Sequence, residues 1–310
     1  FDDTYNKKFR NYFPFVISSG VSNHLVISFE QNNTKIEKTP QELCSLILQE
    51  LKKYAEAKLN HNVNKVVITV PASFNVTQRE VTLAAAKDAG FTVLKLLNEP
   101  TAAALAYYFE NDITENHISL VYDLGGGTYD VAVLQKKFDT IEVLCVGGGT
   151  QLGGHDLDNC ILDYILEVLR KDYRHKAKTD ADDKRRLRIK CEEAKKELSS
   201  ATEAVITING MIPKHPRIII TLTRDRFEEK ASKLFKKTVD ILDNCLVNSK
   251  ISKQSIQEII LCGGSTRIPK IQEMISEYFG GKQLNKFVNP DECVAEGAAL
   301  QAAMLSTRNG

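Results

Sequence analysis

Much that would classify this chain at a glance is missing from it. Neither sign of charge is in excess: 41 lysines and arginines against 40 aspartates and glutamates leave a formal +1. No global field therefore draws it to nucleic acid or to an acidic membrane surface. No apolar run approaches the roughly 18 residues that span a bilayer, and the opening FDDTYNKKFRNYF lacks the apolar centre of a signal peptide. The compartment expected from this is cytoplasmic. The seven cysteines, Cys44, Cys145, Cys160, Cys191, Cys245, Cys262 and Cys293, never form CxxC and are odd in number. That argues against a disulfide framework and a zinc site and leaves buried thiols as the expectation. The N-x-T sequons at Asn32 and Asn75 read as chance matches. There is no G-x-x-x-x-G-K-[ST] and no G-x-G-x-x-G among the glycines at 147 to 154, so neither a P-loop nor a Rossmann dehydrogenase is present. Low-complexity linkers are also lacking, and the chain opens on Phe1 inside what reads as a continuing sequence, which predicts a piece of a longer one.

What is there reads as an ordinary globular chain of 310 residues, 43% hydrophobic and 26% charged, long enough for one to three domains. Strands and helices alternate. After an extended segment around residues 24 to 30, Thr39, Pro40 and Glu42 supply the cap, first-turn proline and return partner of a helix. Leu43, Leu46, Ile47, Leu51, Tyr54 and Ala55 follow at helical spacing and predict one buried face. KVVITVP reads as an inner strand, Thr77 and Glu80 as a second capping box, TVLKLLN as a strand, and PTAAALAYYF as a helix whose alanines allow close packing. From residue 117 the pattern becomes a meander, ISLVYD, YDVAVLQ and TIEVLCV. Charged helices with solvated faces follow, then two strands, a helix over about 224 to 247, and IQEIILCGGSTRIPKIQEMISEYF before a last helix. Residues 171 to 184 read as a mobile surface loop.

Within VYDLGGGTYDV, three glycines separate two strands. Glycine lets the backbone adopt φ > 0 and present successive N–H groups to an anion, so Leu124 to Thr128 reads as a phosphate cradle. Asp123 beside it would repel phosphates unless it held a cation, Mg²⁺ through water. The bland alternative is a tight hairpin. VGGGTQLGGHD adds a glycine cluster before a helix, whose N-terminus favours anions. ISLVYDLGGGT and IQEIILCGGST share a form, strand then glycines then Thr or Ser, which suggests two related halves.

LNEPTAAALAYYF, VYDLGGGTYDVAVL, QLGGHDLDN, EEAKKELSS and LCGGSTRIPKIQEMI, in this order and spacing, resemble the nucleotide-binding domain of the 70 kDa heat-shock protein chaperones over nearly the whole chain. The resemblance implies an α/β class and the actin-like ATPase fold, two lobes each built on a mixed sheet flanked by helices, with ATP or ADP and Mg²⁺ in the cleft. Residues 1–112 would be the remainder of the N-terminal lobe and 113–310 the C-terminal lobe, with a helical adenosine-clamp subdomain at about 154–231. Catalytic roles would fall to Glu99, Asp123 (the Mg²⁺ carboxylate, through water) and Thr128. Gly125, Gly126, Gly127 and Thr128 would form the second phosphate loop, and Gly153 and Gly154 would lie near ribose and phosphates. Glu192, Lys195, Lys196 and Ser199 match the adenosine clamp, and Gly263, Gly264, Ser265 and Arg267 the opposing wall. Asp291 and Asp130 match further cleft carboxylates. Pro100 and Arg79 match the pair that relays nucleotide state.

Two departures qualify this. Lys196 stands where the family usually has an arginine stacked on adenine, and an ammonium does not reproduce that stacking. The family's first phosphate loop and its water-aligning lysine would precede Phe1, so the chain is expected to lack the first strands of the lobe, to leave sheet edges uncovered, and to lose roughly 10² to 10³ in rate per missing group. The bland readings are that Lys195 and Lys196 are solvated, that Glu99 is only a pre-proline residue, and that His155 is a surface or cap residue. By resemblance the chain is an ATP hydrolase domain that gates protein folding, with J-domain proteins, nucleotide exchange factors and unfolded clients as partners, and neither nucleic acid nor membrane. The alternatives are a catalytically weak regulatory or scaffold member of that family, or a metabolite kinase of the same fold.

Overall fold

Asn32 and Asn33 tolerate the left-handed backbone better than most residues, and both take it, at φ 51° and 59°. They close a two-residue hairpin between β2 (Leu25–Gln31) and β3 (Thr34–Lys38), in which Gln31 faces Thr34. A computed structural model describes residues 15–20, 25–114, 116–138, 140–150, 152–173, 181–212, 215–284 and 289–307. The chain divides into two compact units, one of residues 1–66, 75–95 and 176–189, the other of 67–74, 96–175 and 190–310.

In the first unit β1 (Val16–Ser19) extends the hairpin into an antiparallel meander, β1-β2-β3. Helix α1 (Pro40–Leu59) opens on the expected capping box of Thr39 and Glu42. Helix α2 (Val76–Asp88) is capped slightly earlier than expected: Asn75 is the N-cap and Gln78 its reciprocal partner, not Thr77 and Glu80. An asparagine side chain reaches the N3 N–H as well as a threonine does. The predicted burial of one α1 face is not found. Leu46, Ile47, Leu51 and Tyr54 are 48 to 71% exposed. The face turned to α2 is the polar one: Gln41 donates to Asp88 at 2.7 Å, and Lys52 donates to the Gly90 carbonyl at 3.0 Å. Cys44 is exposed too, while Cys191, Cys245, Cys262 and Cys293 are buried as expected.

Strands β4 (Lys65–Val70) and β5 (Thr92–Asn98) form a two-stranded sheet. The second unit is built on a four-stranded sheet in the order β11-β6-β7-β8, from β6 (His117–Leu124), β7 (Tyr129–Lys137), β8 (Thr140–Gly149) and β11 (Glu258–Cys262). Strands β6, β7 and β8 are the predicted antiparallel meander, and β11 lies parallel to β6 with Cys262 opposite Asp123. The two echoing strand–glycine stretches are therefore neighbours in one sheet and not the signatures of two halves. Parallel neighbours bring their carboxyl-end turns to the same edge.

Helix α3 (Glu99–Glu110) packs Ala103, Ala104 and Tyr107 against Val121, Ala132, Leu134 and Ile260. Its alanines do allow close approach: Ala102 meets Gly297 of α8 (Cys293–Thr307), where a Cβ would collide with the Ala102 carbonyl. Across the sheet, α6 (Arg224–Ser249) sets Ile241 and Cys245 over Gly147 and Val131. Helices on both faces explain why β6 and β7 are apolar without alternation. Helices α4 (Gly154–Asp172), α5 (Ala181–Glu197) and α7 (Pro269–Tyr278) and the hairpin of β9 (Glu203–Ile212) and β10 (His215–Thr223) complete the described elements. Of the expected surface loop at 171 to 184, both ends are helical, and residues 174–180 lie outside the described residues.

Candidate functional site: a glycine-lined cavity at the carboxyl edge of the sheet

The hairpin between β6 and β7 places Gly125 to Thr128 at the sheet edge, closed by Gly125 N–H donating to the Thr128 carbonyl at 3.0 Å. None of Gly125, Gly126 or Gly127 takes φ > 0, against expectation, and a Cβ at Gly127 would meet open space. The steric demand sits on two residues that back onto this turn. A Cβ on Gly153 would lie 2.6 Å from the Gly126 carbonyl oxygen, and Gly263, at φ 79°, would drive one into the Leu124 carbonyl. The glycine clusters are thus complementary surfaces, and each lets the other's backbone approach.

The first N–H groups of α4 are spent on this contact. Gly154 and His155 donate to the carbonyls of Gly125 and Gly126 at 2.9 and 2.8 Å, so they are not free for an anion as expected. Ser265 Oγ donates to the Gly125 carbonyl at 3.2 Å, and Lys195 Nζ to the Gly154 carbonyl at 3.0 Å. Fixed from three sides, the turn keeps the N–H groups of Gly126 and Gly127 without a partner among the described residues.

Beside the turn lies a cavity of about 360 Å³. Glu192, Lys195 and Lys196 reach it from α5, and Ser199 from just beyond that helix. Gly264, Ser265 and Arg267 form the facing wall after β11, joined by Asp291 and by Gly126. Each lysine and arginine on it has a carboxylate. Lys196 Nζ is 2.7 Å from Glu192, Arg267 is 2.7 Å from Asp291, and Lys195 is 2.8 Å from the buried Asp158. Lys195 is buried, not solvated, whereas the Lys196 side chain is exposed.

Below the turn three carboxylates gather. Asp123 is the penultimate residue of β6 and faces Asp130 across the hairpin, and Glu99 opens α3 as a helical residue and not merely an extended one before proline. Burial and the charge of Asp130 push the Asp123 carboxyl up to about 7. Burial, then Asp123 and Asp130, push Glu99 up to about 8. Asp130 accepts from the Ser73 N–H through Oδ1, at 3.2 Å, and its buried Oδ2 has no partner. Acids that raise each other's proton affinity, one with an orphaned oxygen, are chemistry suited to a cation. Among the described residues no three His, Cys, Asp or Glu side chains are grouped to hold a metal directly.

Comparison with known proteins agrees with this geometry. A profile of the Hsp70 protein family matches residues 1–310. The chain belongs to the Hsp70 family. It is 44% identical over 296 residues to a heat shock 70 kDa protein of Neurospora crassa, covering 95% of this chain and 45% of the relative. It is 42% identical over 308 residues to a ribosome-associated molecular chaperone of Zygosaccharomyces rouxii, covering 99% and 50%. A heat shock 70 kDa protein of Trichophyton rubrum is 40% identical over 306 residues, covering 99% and 46%. The chain thus spans about half the length of these relatives. Its mixed α/β construction is that of the Hsp70 family's actin-like ATPase fold.

Within that frame, Pro100 is buried in the first turn of α3, and Arg79 lies on α2 in the other compact unit. No helix among the described residues is long and apolar enough to cross a membrane. Of the lining residues, Ile268 has no role assigned from the sequence, and His155 reads there only as a surface or cap residue. His155 had a usable signal, since it follows the glycine pair that contacts the turn.

Proposed function

We propose that this chain is the nucleotide-binding domain of an ATP-dependent Hsp70-family chaperone, and that the cavity takes the adenosine of ADP or ATP. The observation that carries this is the juxtaposition of the cavity with the Gly126–Gly127 turn, whose N–H groups are unpartnered among the described residues. An adenosine held between Glu192, Lys195, Ser199 and the Gly264 to Arg267 wall would direct its phosphates to that turn. Gly125, Gly153, Gly154 and Gly263 shape the turn, and Thr128 stands at its far end. Asp123, with Glu99 and Asp130, would hold Mg²⁺ through water, an ion that neutralises phosphate charge during transfer. Asp123, Glu99 and Thr128 would orient the attacking water there. The lobe division at 112 and 113, the relay through Pro100 and Arg79, and partners such as J-domain proteins, exchange factors and unfolded clients, in the cytoplasm, belong to the same proposal.

Calorimetric titration with ADP, with and without Mg²⁺, tests it beside Asp123→Ala. Magnesium-dependent binding that weakens in the variant is the expected result. No binding by a protein that shows a cooperative thermal transition would sink the reading. The second reading, a regulatory member with weak turnover, is favoured by Lys196, which lacks the planar stacking surface of an arginine. Intact nucleotide binding with no measurable hydrolysis would select it.

A further inference from the structure

Two of the buried cysteines meet. Cys262 ends β11 and Cys293 opens α8, 31 positions apart in the chain. Their sulfurs lie 3.0 Å from each other, so that one S–H donates to the other sulfur. Both are fully buried, in the core cluster that also holds Ala103, Tyr107 and Ile260. The nucleotide chemistry proposed above makes no use of them, yet each is two residues from a residue that lines the cavity, Cys262 from Gly264 and Cys293 from Asp291. The segments that carry them are already in contact. Gly263 donates its N–H to the Pro290 carbonyl at 2.8 Å, and Arg267 donates to Asn289 at 3.1 Å and to Asp291 at 2.7 Å. Hydrogen bonds thus join the facing wall of the cavity to the turn before α8, and the thiol pair spans the same joint.

We infer that Cys262 and Cys293 are an oxidation site, forming a reversible disulfide that clamps the facing wall to the turn carrying Asp291. A disulfide sets its sulfurs about 2.05 Å apart, so the pair has roughly 1 Å left to close. With hydrogen peroxide as the oxidant, one sulfur attacks a peroxide oxygen, the O–O bond breaks, and water leaves with that thiol's proton, giving a sulfenic acid. The second sulfur then attacks the first, the S–O bond breaks, and a second water leaves with the second thiol's proton. Two electrons pass from the two thiols to peroxide. Small dithiols reverse the reaction by exchange, so in a reducing compartment the bond is a transient state and not a structural staple. Burial makes the oxidation slow, because peroxide reaches the sulfurs when the turn at Asp291, whose side chain is 54% exposed, opens locally. With the wall clamped, ADP should leave the cavity more slowly, a consequence that rests on the nucleotide reading above.

The test treats the chain and its Cys262→Ala and Cys293→Ala variants with hydrogen peroxide, alkylates the remaining thiols in denaturant, and maps tryptic peptides without reductant. The expected product joins the peptide of residues 254–267 to that of 287–308, is lighter by two hydrogens than the sum, and separates in dithiothreitol. The oxidised parent should melt roughly 4 to 10 °C above the reduced one and release a fluorescent ADP analogue at least about fivefold more slowly. Dithiothreitol should reverse both effects, and neither variant should show them. Alkylation of both thiols after treatment, or crosslinks confined to other cysteines, overturns the inference. A crosslink that leaves the midpoint and ADP release unchanged overturns the clamp. A parent chain that binds no ADP in either state, yet gains the crosslink and the higher midpoint, overturns the nucleotide reading and supports the oxidation site.

Discussion

Lys195 and Asp158 form an ion pair almost wholly removed from water, with Nζ 2.8 Å from Oδ1 and side-chain exposures of 10% and 4%. The pair ties α5 to α4, and the same Nζ donates to the Gly154 carbonyl at 3.0 Å, which places it directly behind the glycine turn. A buried pair adds little relative to an apolar replacement, but removing one partner strands a charge and costs about 3 to 5 kcal/mol. Lys195→Met and Asp158→Leu are each expected to lower the unfolding free energy measured in urea by an amount of that order. The double variant should be clearly less destabilised than the sum, because neither charge is then stranded. Additive losses would show that the pair does not act as a unit.

The glycine geometry makes a contrast that a single stretch of sequence does not suggest. Gly263→Ala places a Cβ into the Leu124 carbonyl at a backbone φ of 79°, and is expected to cost about 1 to 3 kcal/mol. Gly127→Ala, in the most conspicuous glycine run, has nothing within 4 Å of the new methyl and should stay within about 0.5 kcal/mol of the parent. Thermal unfolding of the two variants side by side decides it. Equal losses would mean that the turn at 125 to 127 carries strain the structure does not show.

That contrast also marks what was readable from the sequence. Most local signals held: Thr39 and Glu42 cap α1 because a capping box is decided within four residues, and β6, β7 and β8 meander as their short apolar runs imply, although the second box sits at Asn75 and Gln78, two residues before the expected Thr77 and Glu80. Signals that depend on a distant partner did not. The stripe at Leu46, Ile47, Leu51 and Tyr54 shows that one helix face is apolar, but periodicity is silent on whether anything covers it, and the polar face with Gln41 and Lys52 meets α2 instead. The glycines at 125 to 127 were legible as a turn, yet their physical reason lies at Gly153 and Gly263, 26 and more residues away in the chain. Glu192, Lys195, Ser199 and Arg267 were placed by resemblance, and their convergence on one cavity required the fold. His155 reads in the sequence as a surface or cap residue, and its side chain is 67% exposed; its nearness to Gly126, 29 positions distant, is not visible there.

Lys196 offers a gain-of-function test. Its ammonium is exposed and held 2.7 Å from Glu192, one helical turn away. An arginine there could keep the pair and lay its planar guanidinium on an adenine, an interaction worth about 0.5 to 1 kcal/mol at an exposed site. Lys196→Arg is therefore expected to tighten ADP binding about two- to fivefold, and binding of guanosine diphosphate less. Calorimetry on both nucleotides checks it, and an unchanged ADP affinity would mean that adenine does not reach this part of the wall.

The carboxylates below the turn give stability a definite slope with pH. Asp123 is pushed up to about 7 and Glu99 to about 8, chiefly by burial and secondarily by neighbouring acids. In the unfolded chain both would ionise near the ordinary values of about 4. The folded state therefore binds more protons than the unfolded state between about pH 4 and pH 8, and stability falls as pH rises through that window. In metal-free buffer the thermal midpoint should be higher at pH 5 than at pH 8.5. Asp123→Asn removes one of the repelling charges and should flatten the slope, leaving the variant more stable than the parent at the alkaline end. Magnesium should raise the midpoint of the parent at pH 8.5 and do much less for the variant, because the cation offsets the same repulsion that the substitution deletes. A parent whose midpoint is level across this range would show that Asp123 and Glu99 reach water more freely than their burial implies.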